Sequence, residues 1–126
     1  MNIKKKVMLV DDEIINIDAL YRVLGSYYNL VVAVGGSDAL EFLNKEELPD
    51  LVLLDINMPE IDGYEVCRQM KKSERTKEIP VIFVTAADDE RDEVMGFSLG
   101  AVDYITKPIN IAVLLSRIEH HLGNKR

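Results

Sequence analysis

Five short apolar runs punctuate this chain at regular intervals, and no other feature restricts its fold so strongly. They are Val7-Met8-Leu9-Val10, Leu30 to Val34, Leu51-Val52-Leu53-Leu54, Val81-Ile82-Phe83-Val84 and Val102 to Ile105. The first four are rich in β-branched residues and nearly continuous rather than alternating. That is the pattern of strands buried on both faces of a parallel sheet. Asp103 breaks the fifth, which marks it as an edge strand.

Between the runs, apolar residues recur at helical spacing. Ile17, Leu20 and Leu24 mark a first helix, and Ala39, Leu40 and Leu43 a second. Tyr64, Cys67 and Met70 mark a third, and Val94, Phe97 and Leu99 a fourth. Ile111, Leu114, Leu115, Ile118 and Leu122 mark the last. Gly25, Gly100 and Gly123 fall where helices should end, Ser37 and Asp62 where helices should begin, and Pro49 and Pro80 just before strands. Strict βα alternation requires right-handed crossovers, hence a parallel sheet with helices on both faces. Five strands and five helices fit a flavodoxin-like, doubly wound α/β sandwich with sheet order 2-1-3-4-5. A closed barrel would need about twice the length. The 126 residues read as one domain with its core from about Lys6 to Leu122, with no internal repeat, low-complexity tract or interdomain linker.

Composition removes several function classes. The formal net charge is −7, from 22 acidic and 15 basic side chains, which repels nucleic acid and anionic lipid. The one basic run, Lys4-Lys5-Lys6, reads as a solvated chain end. A single cysteine, Cys67, excludes an internal disulfide and a cysteine-built zinc site, and its place in an apolar stripe makes it a buried small hydrophobe. No stretch reaches the ~18 apolar residues of a membrane span, and Val7 to Val10 is too short for a signal-peptide core. The expected location is cytoplasmic, with no membrane partner.

Ionisable groups gather at one edge of this expected sheet. The first strand ends in Asp11-Asp12-Glu13, the third in Asp55, the fourth in Thr85, and Lys107 follows the fifth. Ligands of open parallel sheets bind beyond the carboxyl ends of the strands. Singly, each residue has a plainer reading: a helix cap for Asp11 or Asp12, a solvated side chain for Lys107, a strand-end threonine for Thr85. Together they describe a site. Three close carboxylates are unfavourable unless a cation offsets them, and oxygen donors without histidine or thiolate select a hard ion. Mg²⁺ is the expected ion, with Mn²⁺ as an alternative. Asp55 would then attack a phosphoryl donor and form an aspartyl phosphate, with Lys107 and Thr85 meeting the phosphoryl oxygens.

These residues match a known family. The segment Leu53-Leu54-Asp55-Ile56-Asn57-Met58-Pro59-Glu60-Ile61-Asp62-Gly63 resembles the phosphoacceptor loop of response-regulator receiver domains, the chemotaxis-regulator-like modules of two-component systems. Asp11-Asp12, Val84-Thr85-Ala86 and Asp103-Tyr104-Ile105-Thr106-Lys107-Pro108 complete the pattern, and the resemblance covers about Lys6 to Leu122. It implies Asp55 as phosphoacceptor, Asp11 and Asp12 at the metal site, and the Asn57 backbone carbonyl as a further ligand. Asp12 is implied as the more direct ligand, with Asp11 acting through water. It also implies contacts of Thr85 and Lys107 to the phosphoryl group, a cis peptide before Pro108, and Tyr104 as a switch aromatic that turns inward as Thr85 moves. Ala87 and Asn57 would tune the lifetime of the acyl phosphate. The implied donor is a sensor histidine kinase or a histidine phosphotransfer protein, and the exposed face of the first helix near Asn16 and Ala19 would set that choice.

The implied role is that of a phosphoacceptor signalling domain rather than an enzyme with a separate substrate. Aspartyl-nucleophile phosphatases place a second aspartate where this chain has Asn57, and flavin or nucleotide modules need a glycine- or hydroxyl-rich loop where it has three acids. The segments 63–67 and 96–108 resemble receivers that precede cyclic-di-GMP enzymes or sit in hybrid kinases. The face of the fourth and fifth helices is a candidate homodimer surface. His120 and His121 read as solvated helix residues.

Overall fold

The computed structural model describes residues 4–45, 47–86 and 90–123. Strands and helices alternate without exception: β1 Lys6–Val10, α1 Ile14–Leu24, β2 Asn29–Ala33, α2 Gly36–Leu43, β3 Leu51–Leu54, α3 Gly63–Lys72, β4 Val81–Thr85, α4 Glu90–Ser98, β5 Asp103–Thr106 and α5 Ile111–His121. All neighbouring strands are parallel, in the order β2-β1-β3-β4-β5. This is the doubly wound, flavodoxin-like sheet that the alternation predicts.

The continuous apolar runs have a simple cause. Successive strand side chains point to opposite faces, and here both faces are covered. Val7, Leu9, Leu53, Ile82 and Val84 pack with Leu24, Leu114 and Ile118 of α1 and α5. Met8, Val10, Val52, Leu54 and Phe83 pack with residues of α2 and α3, among them Leu43, Val66, Cys67 and Met70. Cys67 is buried as expected, its thiol donates to the Leu99 carbonyl at 3.7 Å, and burial pushes its pKa up.

Four expectations need correction. β2 is not buried on both faces: it is an outermost strand with a neighbour on one side only, and Asn29 and Val32 are exposed. Ser37 does not begin α2. Gly35 is its N-cap and Gly36 its first residue, at a point so close to the Ile61 carbonyl that a side chain there would overlap it. On α4, Val94 and Phe97 point outward, 64% and 46% exposed, while Gly96 turns toward Phe83. Lys6 is no free chain end. It opens β1, its N–H donates to Asp50 Oδ2 at 2.7 Å, and its Nζ reaches Glu47 Oε1 at 2.7 Å. Asp62 does cap α3, accepting the Glu65 N–H at 2.9 Å.

Candidate functional site

Backbone ladders run past the strand ends and carry the ionisable groups to one place. The Asp55 N–H donates to the Val10 carbonyl at 2.9 Å, so Asp55 follows β3 directly beside the exit of β1. The Asp11 N–H donates to the Ala33 carbonyl at 3.2 Å, and the Lys107 N–H to the Thr85 carbonyl at 2.8 Å. Thr85 pairs with Thr106 in the β4–β5 register, which sets Lys107 just beyond it. The Lys107–Pro108 peptide is cis.

The side chains converge as the backbone requires. Asp11 and Asp55 are each 6% exposed, and Asp12 is open to solvent. One carboxylate oxygen from each of the three lies within 4.8 Å of the others. Lys107 Nζ stands 3.3 Å from Asp11 Oδ2 and 3.5 Å from Asp55 Oδ1. Three carboxylates against one ammonium leave two negative charges in this corner. Two unit charges about 4 Å apart repel by about 4 kcal/mol at an effective dielectric of 20. Lys107 therefore offsets only part of the repulsion. Burial, with the Asp11 charge next and Asp12 after it, pushes the Asp55 carboxyl up to about 6 although Lys107 pulls it down. Burial alone would lower the Lys107 ammonium, but Asp55 and Asp11 outweigh it and raise the pKa.

The donor set answers whether a hard divalent cation suits this corner. It offers carboxylate oxygens only, two negative charges short of neutral, and one acid open to water; these are the properties such an ion needs. A carboxylate of this kind can also act as an oxygen nucleophile.

Other expected residues are placed as follows. Thr85 is fully buried at the end of β4. Asn57 is exposed in the loop after Asp55. That loop turns back through Glu60, which is left-handed at φ 69°, and the Gly63 N–H closes it on the Ile56 carbonyl at 2.8 Å. Tyr104 is half-buried on β5 beside the Phe83 cluster, in which Tyr64 meets Phe83 edge-on at 5.5 Å. Ala87 lies outside the described residues.

Two groupings escaped the sequence reading. Asn16 reaches the site from α1, its Nδ2 donating to Asp11 Oδ2 at 3.3 Å and to Glu13 Oε1 at 2.6 Å. Away from the site, Asp103 is held by Arg117 Nη1 at 2.6 Å, His121 Nε2 at 2.9 Å and its neighbour Tyr104's N–H at 2.9 Å. His121 is thus not a solvated helix residue, because its ring packs onto the buried Asp103 carboxylate. The signal was available. An acid inside a strand needs partners, and Arg117 and His121, four apart, share one helix face.

Residues 7–119 match the family model described as the response regulator receiver domain. The chain belongs to that family. As a receiver domain it is a signalling module of two-component systems. Among solved structures, a response regulator from Chloroflexus aurantiacus superposes with a TM-score of 0.91 at 32% identity, over 97% of this receiver and 100% of that chain. The Mn²⁺-bound form of response regulator Rcp1 superposes with a TM-score of 0.82 at 27% identity, over 97% of both chains. A curated relative from Vibrio cholerae serotype O1, named as a probable cyclic di-GMP phosphodiesterase, is 48% identical over 120 residues. That match takes in 95% of the receiver and 27% of the relative, so the chain spans about a quarter of that relative's length. No described helix is long and apolar enough to cross a membrane.

Proposed function

We propose that this receiver accepts a phosphoryl group on Asp55 and relays its presence through Thr85 and Tyr104. The observation that carries the reading is the Asp55 carboxylate itself: buried, 3.5 Å from Lys107 Nζ, and clustered with Asp11 and Asp12. An Asp55 oxygen attacks the phosphorus of a phosphohistidine on a sensor kinase or phosphotransfer protein. The P–N bond breaks, its electron pair returns to the imidazole, and an acyl phosphate forms. Lys107 leaves the two carboxylates and pairs with the phosphoryl oxygens, which the Thr85 hydroxyl also meets. Asp11, Asp12, Asp55 and the Asn57 carbonyl would hold Mg²⁺, or Mn²⁺ in its place. Such an ion supplies charge neutralisation between the acids and the incoming phosphoryl oxygens.

The donor's docking place is supported by an apolar groove of about 270 Å³ between α1 and the β5–α5 segment, where Ala19 and Leu20 face Pro108, Ile109 and Ile111. Ile14 and Ile15 stand exposed on the same helix, which suits contact with a helical partner. The 48% identity to the Vibrio cholerae relative favours a cyclic-di-GMP phosphodiesterase as the output, over a hybrid kinase. The exposed Val94, Phe97 and Val113 of α4 and α5 would carry a phosphorylation-dependent homodimer.

Mg²⁺-dependent labelling by a small phosphodonor such as acetyl phosphate, absent in Asp55→Asn, is the expected result. Labelling that persists in that variant would move the acceptor elsewhere. Sustained turnover of an unrelated phosphate ester would favour a phosphatase, the reading that Asn57 argues against.

A further inference from the structure

Asp11 is held by three donors of different kinds. Its Oδ1 accepts the Glu13 N–H at 2.9 Å, a local turn bond. Its Oδ2 is shared, taking Lys107 Nζ and Asn16 Nδ2 at 3.3 Å each. The Asn16 amide is itself anchored, because its Nδ2 also donates to Glu13 Oε1 at 2.6 Å. Both neighbours of that nitrogen are carboxylates, so the amide can face them only with its N–H groups; reversed, its oxygen would meet two negative groups. Asn16 sits in the first turn of α1, half-buried, and Glu13 caps the same helix without a side-chain cap bond of its own. The Glu13 carboxylate is therefore available to fix Asn16.

We propose that Asn16 is a positioning residue that keeps Asp11 oriented for the cation when Lys107 moves to the phosphoryl group, with Glu13 locking Asn16 in place. The inference rests on the reading of Asp11 as a metal-site acid. The reasoning is one of replacement. Lys107 serves two masters, Asp11 and the phosphoryl oxygens, and cannot hold both with one ammonium once the group arrives. A neutral donor on a rigid helix has no such conflict. It satisfies one lone pair of Oδ2 without competing for charge, and partners of this kind around ligating carboxylates typically govern affinity by ten- to a hundred-fold.

The test reads metal binding in a Lys107→Met background, where Asp11 has lost the ammonium as it would on phosphorylation, by titrating the purified protein with Mn²⁺ and following free Mn²⁺ by electron paramagnetic resonance. Asn16→Leu, close in shape but without donors, is expected to weaken binding about tenfold. Glu13→Ala should weaken it in the same direction by less, and the double variant should lose no more than Asn16→Leu alone. In an Asp11→Asn background, Asn16→Leu should cause no further loss, because the group it orients is gone. A second variant, Asn16→Ala, guards against a packing artefact of the leucine and should follow the same pattern. Unchanged affinity in both Asn16 variants, or an equal loss with and without Asp11, would overturn the proposal. If Asp11→Asn alone binds Mn²⁺ like the parent protein, the metal reading of Asp11 fails first, and the role of Asn16 falls with it.

Discussion

Lys107 stands 3.5 Å from Asp55, yet the Asp55 carboxyl still titrates near 6, so burial and the Asp11 charge outweigh the ammonium. A carboxylate whose folded pKa lies above its unfolded value binds its proton more tightly when folded. The penalty is absent below about pH 4, grows as pH rises to 6, and is constant above. In chelator, Asp55→Asn should therefore be more stable than the parent at pH 8, by about 1–3 kcal/mol, with the advantage vanishing near pH 4. Urea denaturation at the two pH values measures it. Mg²⁺ should stabilise the parent protein and leave the variant nearly unmoved. A variant that is less stable at pH 8 would mean that the cluster is not repulsive.

The sign reverses at the other end of β5. Burial would raise the Asp103 carboxyl, but hydrogen bonds from His121, the Tyr104 N–H and Arg117 together hold it below the ordinary value. Its contribution is present above about pH 4 and is lost as pH falls through the folded pKa. Asp103→Asn should cost about 1–3 kcal/mol at pH 7 and less at pH 3. Arg117→Met should cost less, because Arg117 is nearly half exposed and two donors remain on Asp103. Equal losses at both pH values would assign the effect to packing instead.

Gly63 begins α3 against the back of Asp55, and a side chain there would overlap the Asp55 carbonyl oxygen and crowd Ile56 Cα at 2.9 Å. The obstacle is backbone, which cannot swing aside like a side chain. Gly63→Ala should destabilise the fold by about 1–3 kcal/mol and slow labelling of Asp55 more than it changes Mn²⁺ affinity for Asp11 and Asp12. Denaturation and labelling on one preparation separate the two effects. Labelling at the parental rate would show that the loop tolerates the shift.

What could be read from the sequence followed from simple periodicities. Runs such as Val81 to Val84 had to be strands covered on both faces, and strand exits had to share an edge, which brings Asp11, Asp55, Thr85 and Lys107 together. Side-chain choices that depend on a neighbour's shape were not legible. Val94 and Phe97 recur at helical spacing, yet on α4 the inward position belongs to Gly96, where a Cβ would lie 2.9 Å from the Phe83 ring. Periodicity marks an apolar face without saying which way it turns. Asn16 and His121 were missed for a related reason. Polar residues on a helix look solvated until the buried acid they serve is placed beside them, five residues away for Asn16 and eighteen for His121.

That α4 face yields a prediction of its own. Phe97→Ser should change stability by no more than about 0.5 kcal/mol, whereas Phe83→Ala in the core should cost about 3–5 kcal/mol. If the exposed face is a contact surface, Phe97→Ser should leave labelling of Asp55 intact while lowering the dimer fraction of the phosphorylated protein in sedimentation. A large stability loss on substituting Phe97 would contradict its outward placement.

Tyr104 provides the readout of the proposed relay. It pairs with Phe83 across the β4–β5 ladder, two residues before Thr106, which pairs with Thr85. Gly96 of α4 lies beside its ring, with Tyr104 Cδ2 3.7 Å from where a Gly96 Cβ would stand. In the proposed relay a local charge event at Asp55 biases this aromatic through Thr85, whose movement changes the space beside the strand. Beryllofluoride with Mg²⁺, which mimics the acyl phosphate, should therefore shift the Tyr104 ring resonances in the parent protein. It should leave them unmoved in Asp55→Asn, which cannot take the mimic. In Thr85→Ala the mimic should still bind, seen as shifts in the loop 55–62, but the Tyr104 response should shrink or disappear. An undiminished Tyr104 shift in Thr85→Ala would remove threonine from the relay. No shift in the parent protein, with clear shifts around Asp55, would remove Tyr104 from it and leave phosphorylation standing.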